Sequence, residues 1–242
     1  MIKYASLFLL LLVAACKTGK ENLPDVTTGL MVEIPFDGDC SEKISGTTGT
    51  SFHTLYGTNR KGEANKAIYF FRADSSYVDF GDLSGATLNE NGFTVSCWVG
   101  VNDTTSVGAV MSKRGLTGPW EYSLDNHFST GVFNLDNWDF GGGTSVYGID
   151  PLKASAPIQP QVWQHLVYVA NGSELRVYVN GVLQNGVDQR NAGIAFTNTD
   201  AHFVIGNGGG YNKNYHLDGA VDDVRIYNRA LDEQAISYLY WH

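Results

Sequence analysis

The stretch HLVYVANGSELRVYVNGVLQNG, residues 165–186, decides the fold. Two of its three Asn-Gly pairs stand between alternating runs of β-branched and aromatic residues, and a period of two puts successive side chains on opposite faces of a strand. A type I′ turn requires φ > 0 at both central residues, a conformation that Asn171-Gly172 and Asn180-Gly181 can both adopt. The stretch therefore predicts a three-stranded antiparallel meander.

Working outward, similar short runs cover most of the chain. They are GLMVEIPF (29–36), KAIYFF (66–71), YVDFG (77–81), FTVSCWVGV (93–101), GAVMSKR (108–114), WEYSLD (120–125), GVFNLD (131–136), HFVIGN (202–207) and AVDDVRIY (220–227). Clusters of Gly, Asn, Asp and Ser separate them, as turns require. The composition agrees, with 28 glycines, 13 tyrosines, 12 phenylalanines and only 17% charged residues. One helix is expected, in DEQAISYLY (232–240). Asp232 is placed to cap it, and Leu231 and Ile236 can close a hydrophobic staple. Many antiparallel strands with almost no helix leave a sandwich or a closed barrel.

The first 15 residues read as a signal peptide: Lys3, an apolar run from Ala5 to Ala15, then a cysteine. The run is shorter than the ~20 residues a membrane-spanning helix needs. Val13-Ala14-Ala15-Cys16 resembles the lipobox of bacterial lipoproteins, which implies a lipid on Cys16 and a bacterial envelope location, at the outer membrane. An ordinary secretory signal is the alternative. Residues 16–28 read as a lipidated start and polar tether, and residues 29–242 as one domain. The formal net charge is −9, with no basic stripe, which argues against a nucleic-acid partner. Cys97 sits in an apolar run and reads as a buried thiol, whereas Cys40 reads as a loop residue.

VWQHLVYVANGSELRVYVNGVLQ, FVIGNGGG and LDGAVDDVRIYNRALDEQAI, preceded by PFDG, AIYFFRADSSYVDFGDL and FTVSCWVGV, resemble in order the laminin-G-like domains of the concanavalin A-like lectin and glucanase superfamily. The resemblance covers Gly29 to Tyr240. It implies an all-β, two-sheet antiparallel jelly-roll β-sandwich with one short C-terminal helix.

Asp222 and Asp223 lie inside one of these strands. Strict alternation places Ala220, Asp222, Val224 and Ile226 on one face and Val221, Asp223, Arg225 and Tyr227 on the other. A carboxylate among apolar neighbours is costly unless it is paired or bound to a metal. The resemblance implies a structural Ca2+ here, with Asp37, Asp222 and Asp223 as candidate ligands. The alternative is that Asp222 meets backbone N–H groups or Arg225 while Asp223 faces solvent.

Catalytic patterns are scarce. Relatives that cleave laminarin or lichenan carry Glu-x-Asp-x-x-Glu on a strand, and no such motif occurs. The best local pair, Glu121 and Asp125, would have Cα atoms roughly 13 Å apart, beyond the carboxyl spacing of about 5 to 9.5 Å that glycosidases use. No His spacing or Cys cluster suggests zinc, and there is no nucleophile elbow or phosphate loop. Recognition of neutral ligands remains. Flat aromatic faces combined with Asn and Asp suit sugars. The candidates are Trp120, Trp138, Tyr211 and Tyr215 as platforms, with Asp125, Asn126, Asp136, Asn137 and Asn214 as polar partners. Trp98 and Trp163 are assigned to the core. The expected function is non-catalytic carbohydrate binding on a lipid-anchored protein. A glycoside hydrolase with rearranged carboxylates and an adhesive domain that binds protein are the alternatives.

Overall fold

The computed structural model describes residues 23–89, 91–114, 120–127, 132–137, 152–188, 198–208 and 215–242. Among these residues two antiparallel sheets stack into a sandwich. The eight-stranded sheet runs β13 (Val182–Asp188), β12 (Glu174–Val179), β11 (Trp163–Ala170), β6 (Phe93–Val101), β15 (Gly219–Tyr227), β4 (Ala67–Phe70) and β3 (Leu55–Gly57), with β1 (Leu30–Ile34) paired to β15. The seven-stranded sheet runs β10 (Leu152–Lys153), β9 (Val132–Asn137), β8 (Trp120–His127), β7 (Gly108–Arg114), β14 (Phe203–Ile205), β5 (Tyr77–Asp79) and β2 (Thr50–Phe52). The meander is β11–β12–β13, as its sequence predicts.

Its two turns differ. Val179 pairs with Val182 across Asn180 and Gly181, whose φ values of 52° and 75° fit a type I′ turn. At the other end Ala170 pairs with Leu175. There Gly172 takes positive φ and Asn171 does not. Instead the Asn171 side-chain oxygen accepts from the Ser173 and Glu174 N–H groups at 3.1 and 2.8 Å. This Asx turn makes a four-residue loop in place of the expected tight one.

Between the sheets lie Val95, Cys97 and Val99 of β6, Leu166 and Tyr168 of β11, and Val221, Val224 and Ile226 of β15, facing Met111, Tyr122, Leu124, Phe203 and Ile205. A second buried cluster joins Val167, Val169, Tyr178 and Tyr227 to Leu231, Ala235, Ile236 and Leu239 of α1 (Glu233–Trp241). Asp232 caps α1 by accepting from the Ala235 N–H at 2.8 Å, and Leu231 and Ile236 are both buried as a staple requires.

The alternation expected of β15 is broken. Its pairing with β6 shifts between Asp222 and Arg225, and Asp223 has φ +48°. One extra residue is inserted there, so Val221, Val224 and Ile226 all enter the core while Asp222 and Arg225 stay on the outer face. Strict alternation would have put Val221 on the opposite face from Val224 and Ile226.

Of the two tryptophans assigned to the core, Trp98 is buried but packs against His165 and Tyr240 rather than between the sheets, and Trp163 is corrected to half-buried, over Gly100. Cys40 lies in a loop, as expected, and is buried there with its Sγ 3.0 Å from Tyr56 Oη. Both Cys40 and Cys97 are free thiols, and burial pushes Cys97 up to about 12.

Candidate functional site

The two outer faces are furnished differently. On the eight-stranded sheet α1 covers the apolar residues of β11, β12 and β15. On the seven-stranded sheet the described residues that point away from the core include polar and aromatic side chains beside the apolar Ala109 and Val204. Tyr122 and Leu124 face inward, so Glu121, Ser123 and Asp125 alternate outward. Register sets Ser112 opposite Ser123 and Ala109 opposite Asp125, and His216 bridges to Ala109 and Asn207.

Towards the β2 edge this face becomes aromatic. Val78 faces the core, so Tyr77 and its register partner Phe52 face out. Their rings stack at 4.4 Å with 19° between planes, and His216 lies 6.1 Å beyond Tyr77. Phe52 is 38% exposed. One residue on, an open pocket of about 360 Å³ is lined by His53, Thr54, Leu55, Phe71 and Asp74. His53 Nδ1 lies 2.8 Å from the Asp74 carbonyl oxygen. A carbonyl only accepts, so Nδ1 carries a proton. This aromatic edge escapes sequence reading because Phe52 and Tyr77 meet only through strand pairing.

Further in, the carboxylates are engaged. Glu121 is 2% exposed, and its Oε1 accepts from Lys113 Nζ at 2.7 Å and from the Thr199 N–H and hydroxyl at 2.9 and 2.8 Å. Lys113 is fully buried and also donates to Asp82 Oδ1 at 3.1 Å and the Thr199 carbonyl at 3.2 Å. Asp125 accepts from the Ser123 hydroxyl at 2.6 Å. Burial holds the His216 imidazole below its ordinary pKa.

Of the sequence-predicted sugar-binding residues, Asp125 is buried on the outer face of β8, and Tyr215 is half-buried, its carbonyl oxygen accepting from the Gly208 N–H. Trp120 and Asn126 lie on β8, and Asp136 and Asn137 on the adjoining β9, where Asp136 is in register with Ser123. Trp138, Tyr211 and Asn214 lie outside the described residues. The fold thus brings β8, β9 and the Tyr215 segment to one sheet.

The acidic pair occupies the other sheet. Arg60 Nη1 donates to Asp222 Oδ2 at 3.0 Å and to Asp223 Oδ2 at 2.7 Å. Arg225 reaches Asp223 Oδ1 at 3.2 Å and Glu33 Oε1 at 3.3 Å. The guanidinium of Arg60 lies 4.5 Å from the Trp98 ring centre. Burial, reinforced by the neighbouring Asp223 charge, pushes the Asp222 carboxyl up to about 7, and Arg60 opposes the shift. Asp37, the third expected ligand, pairs with Lys66 at 3.1 Å. Beneath this corner Ser96 Oγ lies 2.9 Å from His165 Nε2. Burial and the charges of Arg60 and Arg225 hold His165 down at about 3. Ser96 and His165 are each 1% exposed, so the pair is structural.

A laminin-G family model, described as "Concanavalin A-like lectin/glucanases superfamily", matches residues 72–237, more than half of the chain. The chain belongs to the concanavalin A-like lectin/glucanase superfamily. Comparison with curated proteins gives no match. Among solved structures, the binding domain of Paraclostridial Mosquitocidal Protein 1 superposes with TM-score 0.66 at 14% identity, over 88% of this chain and 52% of that one. Domain 4 of AbnA, a GH43 extracellular arabinanase from Geobacillus stearothermophilus in complex with arabinotriose, gives TM-score 0.61 at 20% identity, over 87% and 98%. The botulinum neurotoxin serotype D binding domain gives 0.58 at 12%, over 88% and 50%. This chain spans about half the length of the toxin binding domains. At these identities the likeness is one of fold.

This superfamily member departs from the calcium arrangement that the sequence resemblance implies. A guanidinium already lies between Asp222 and Asp223, and Asp37 has its own ammonium partner. Among the described residues no group of three or more His, Cys, Asp or Glu side chains could hold a metal ion. The donor set as placed does not fit calcium, which takes 6–8 oxygen ligands.

Proposed function

We propose that the chain is a non-catalytic, glycan-binding protein that uses the outer face of its seven-stranded sheet. The carrying observation is the stacked Phe52–Tyr77 pair, partly exposed beside a pocket with polar groups at its rim. An aromatic plane packs against the C–H face of a sugar ring while polar groups such as the His53 ring and the Asp74 carboxylate fix hydroxyls. The pocket volume suits a small ligand. The arabinotriose held by the arabinanase domain, which matches this chain along nearly its whole length, supports an oligosaccharide as the ligand class.

The hydrolase alternative is disfavoured by Glu121. Its carboxylate is buried and locked to Lys113 and Thr199, so it is poorly placed to exchange a proton with a substrate. Asp125 lies on the same strand with a hydroxyl partner of its own. The purified protein on a glycan array should bind a subset of oligosaccharides, and Phe52→Ala should abolish that binding. Array binding unchanged in Phe52→Ala would remove the platform, and hydrolysis of any bound glycan would restore the enzyme reading.

Anchoring by a lipid on Cys16, at the outer membrane of a bacterial envelope, belongs to the same proposal and rests on Val13-Ala14-Ala15-Cys16. Cys16→Ser should abolish fatty-acid labelling and release the protein to the soluble fraction. Labelling that persists in this variant would refute the anchor.

A further inference from the structure

We infer that Arg60 is the resident cation at the β15 corner, and that its guanidinium stands where the family resemblance places a calcium ion. The inference is independent of the glycan reading and rests on the geometry around the β15 bulge.

The bulge is what makes one nitrogen sufficient. With regular alternation Asp222 and Asp223 would diverge to opposite faces, and no single group could meet both. The positive φ at Asp223 turns its carboxylate back beside that of Asp222, and both accept from the same Nη1 of Arg60. The remaining oxygens are also used. Asp222 Oδ1 accepts from the Asp223 N–H at 2.8 Å, and Asp223 Oδ1 accepts from Arg225. Each carboxylate oxygen of the pair thus already accepts from an N–H group.

Arg60 is itself held in place. It sits in a short loop before β4 that the Asn59 side chain ties together, accepting from the Lys61 and Glu63 N–H groups at 3.0 Å each. The guanidinium carbon lies 4.5 Å from the Trp98 ring centre, and Tyr240 of α1 stacks on Trp98 at 5.5 Å. Lys61, the next residue, donates to the His242 carbonyl at the end of α1. The loop, the bulged strand and the helix therefore converge on one cation. The Arg60 side chain is 8% exposed. A guanidinium suits such a place better than an ammonium, because it is weakly hydrated, planar and able to stack. A calcium ion would have to displace it, leaving a buried guanidinium without its anions.

The test is thermal melting of the purified protein with excess calcium and with a chelator, alongside calorimetric titration with calcium chloride. A structural calcium held at 100 times its dissociation constant would separate the two melting midpoints by roughly 5–10 °C. The expected result is coincident midpoints and no binding heat for the wild type. Arg60→Ala should melt lower by roughly 10 °C, and Arg60→Lys should recover only part of that loss, since an ammonium cannot both stack and bridge. A calcium-dependent rise in the wild-type midpoint, a calorimetric calcium site, or an Arg60→Ala variant as stable as wild type would each overturn the inference. If Arg60→Ala does not fold, the wild-type titration and Arg60→Lys still decide it.

Discussion

Arg60 and Lys113 are both buried cations that answer to carboxylates on strands, one on each sheet, and they do so by different chemistry. Lys113 is a point charge caged by oxygens: Glu121, Asp82 and the Thr199 carbonyl take its three protons. Arg60 spends one nitrogen on two carboxylates and gives its plane to Trp98. The unused atoms are opposite in kind. Among the described residues Glu121 Oε2 of the lysine cluster is buried without a partner, and so is Arg60 Nη2 of the arginine cluster. The lysine site is thus short of a donor and the arginine site short of an acceptor. A saturated ammonium leaves nothing for a second carboxylate oxygen, whereas a guanidinium has more donors than two aspartates can reach.

This contrast is most directly broken at Lys113. Lys113→Met keeps the bulk but leaves Glu121 buried without its counter-charge, and chemical denaturation should show a loss of about 3–5 kcal/mol. Lys113→Met paired with Glu121→Leu should regain most of it, because a well-packed apolar pair costs little relative to a buried ion pair. A single substitution that is neutral would mean that Glu121 takes up a proton or another partner.

The arginine cluster is sharpened by pH. His165, buried beside it, has its folded-state pKa depressed from 6.5 to about 3. On acidification the unfolded chain gains a proton there that the folded chain refuses, so stability present above pH 6.5 is lost as pH falls, about 2 kcal/mol by pH 5. His216 acts in the same direction. Asp222 acts in the opposite one: its folded pKa is raised, so the folded form takes up a proton first and gains stability as pH falls from about 7 towards 3.8. Wild-type stability measured from pH 7 to 5 should therefore be nearly flat, while Asp222→Asn should lose stability steadily. An Asp222→Asn profile as flat as wild type would show that neither group titrates as its burial requires.

The smallest effect on stability is expected at the open aromatic edge. Phe52→Ala should change stability by about 0.5 kcal/mol or less, as surface substitutions do, although it should remove glycan binding. A loss of several kcal/mol would place Phe52 among the packed residues.

How legible these features were depends on how local they are. Period-two alternation, the Asn180-Gly181 turn and the Asp232 cap each lie within a few residues, and each is where the sequence predicts. β2, β3 and β10, of two or three residues, are too short to show a period. The β15 bulge has a trace in the spacing of Val221, Val224 and Ile226, which does not fit a period of two, but two adjacent aspartates in a strand fit a ligand pair as well as a bulge. The Phe52–Tyr77 stack, the Lys113–Glu121 pair and the Arg60 bridge join segments 25, 8 and more than 160 residues apart, and no local pattern encodes them. Arg60 carried no signal at all beyond being an arginine in a turn.

The inserted residue in β15 also makes the backbone conformation of one position a constraint in its own right. Before the bulge, Val221 sets the face that meets the opposite sheet. After it, Tyr227 and Leu231 set the face on which the C-terminal helix rests. Removing position 223 would leave Val221, Val224 and Ile226 alternating regularly on one face, so the phase would survive, whereas regular alternation with the residue kept would turn everything after Asp222 by one face. Arg225 and Tyr227 would then point between the sheets and Val224 and Ile226 towards the helix. Loss of the positive φ at Asp223 would thus be felt most by a helix that begins ten residues later.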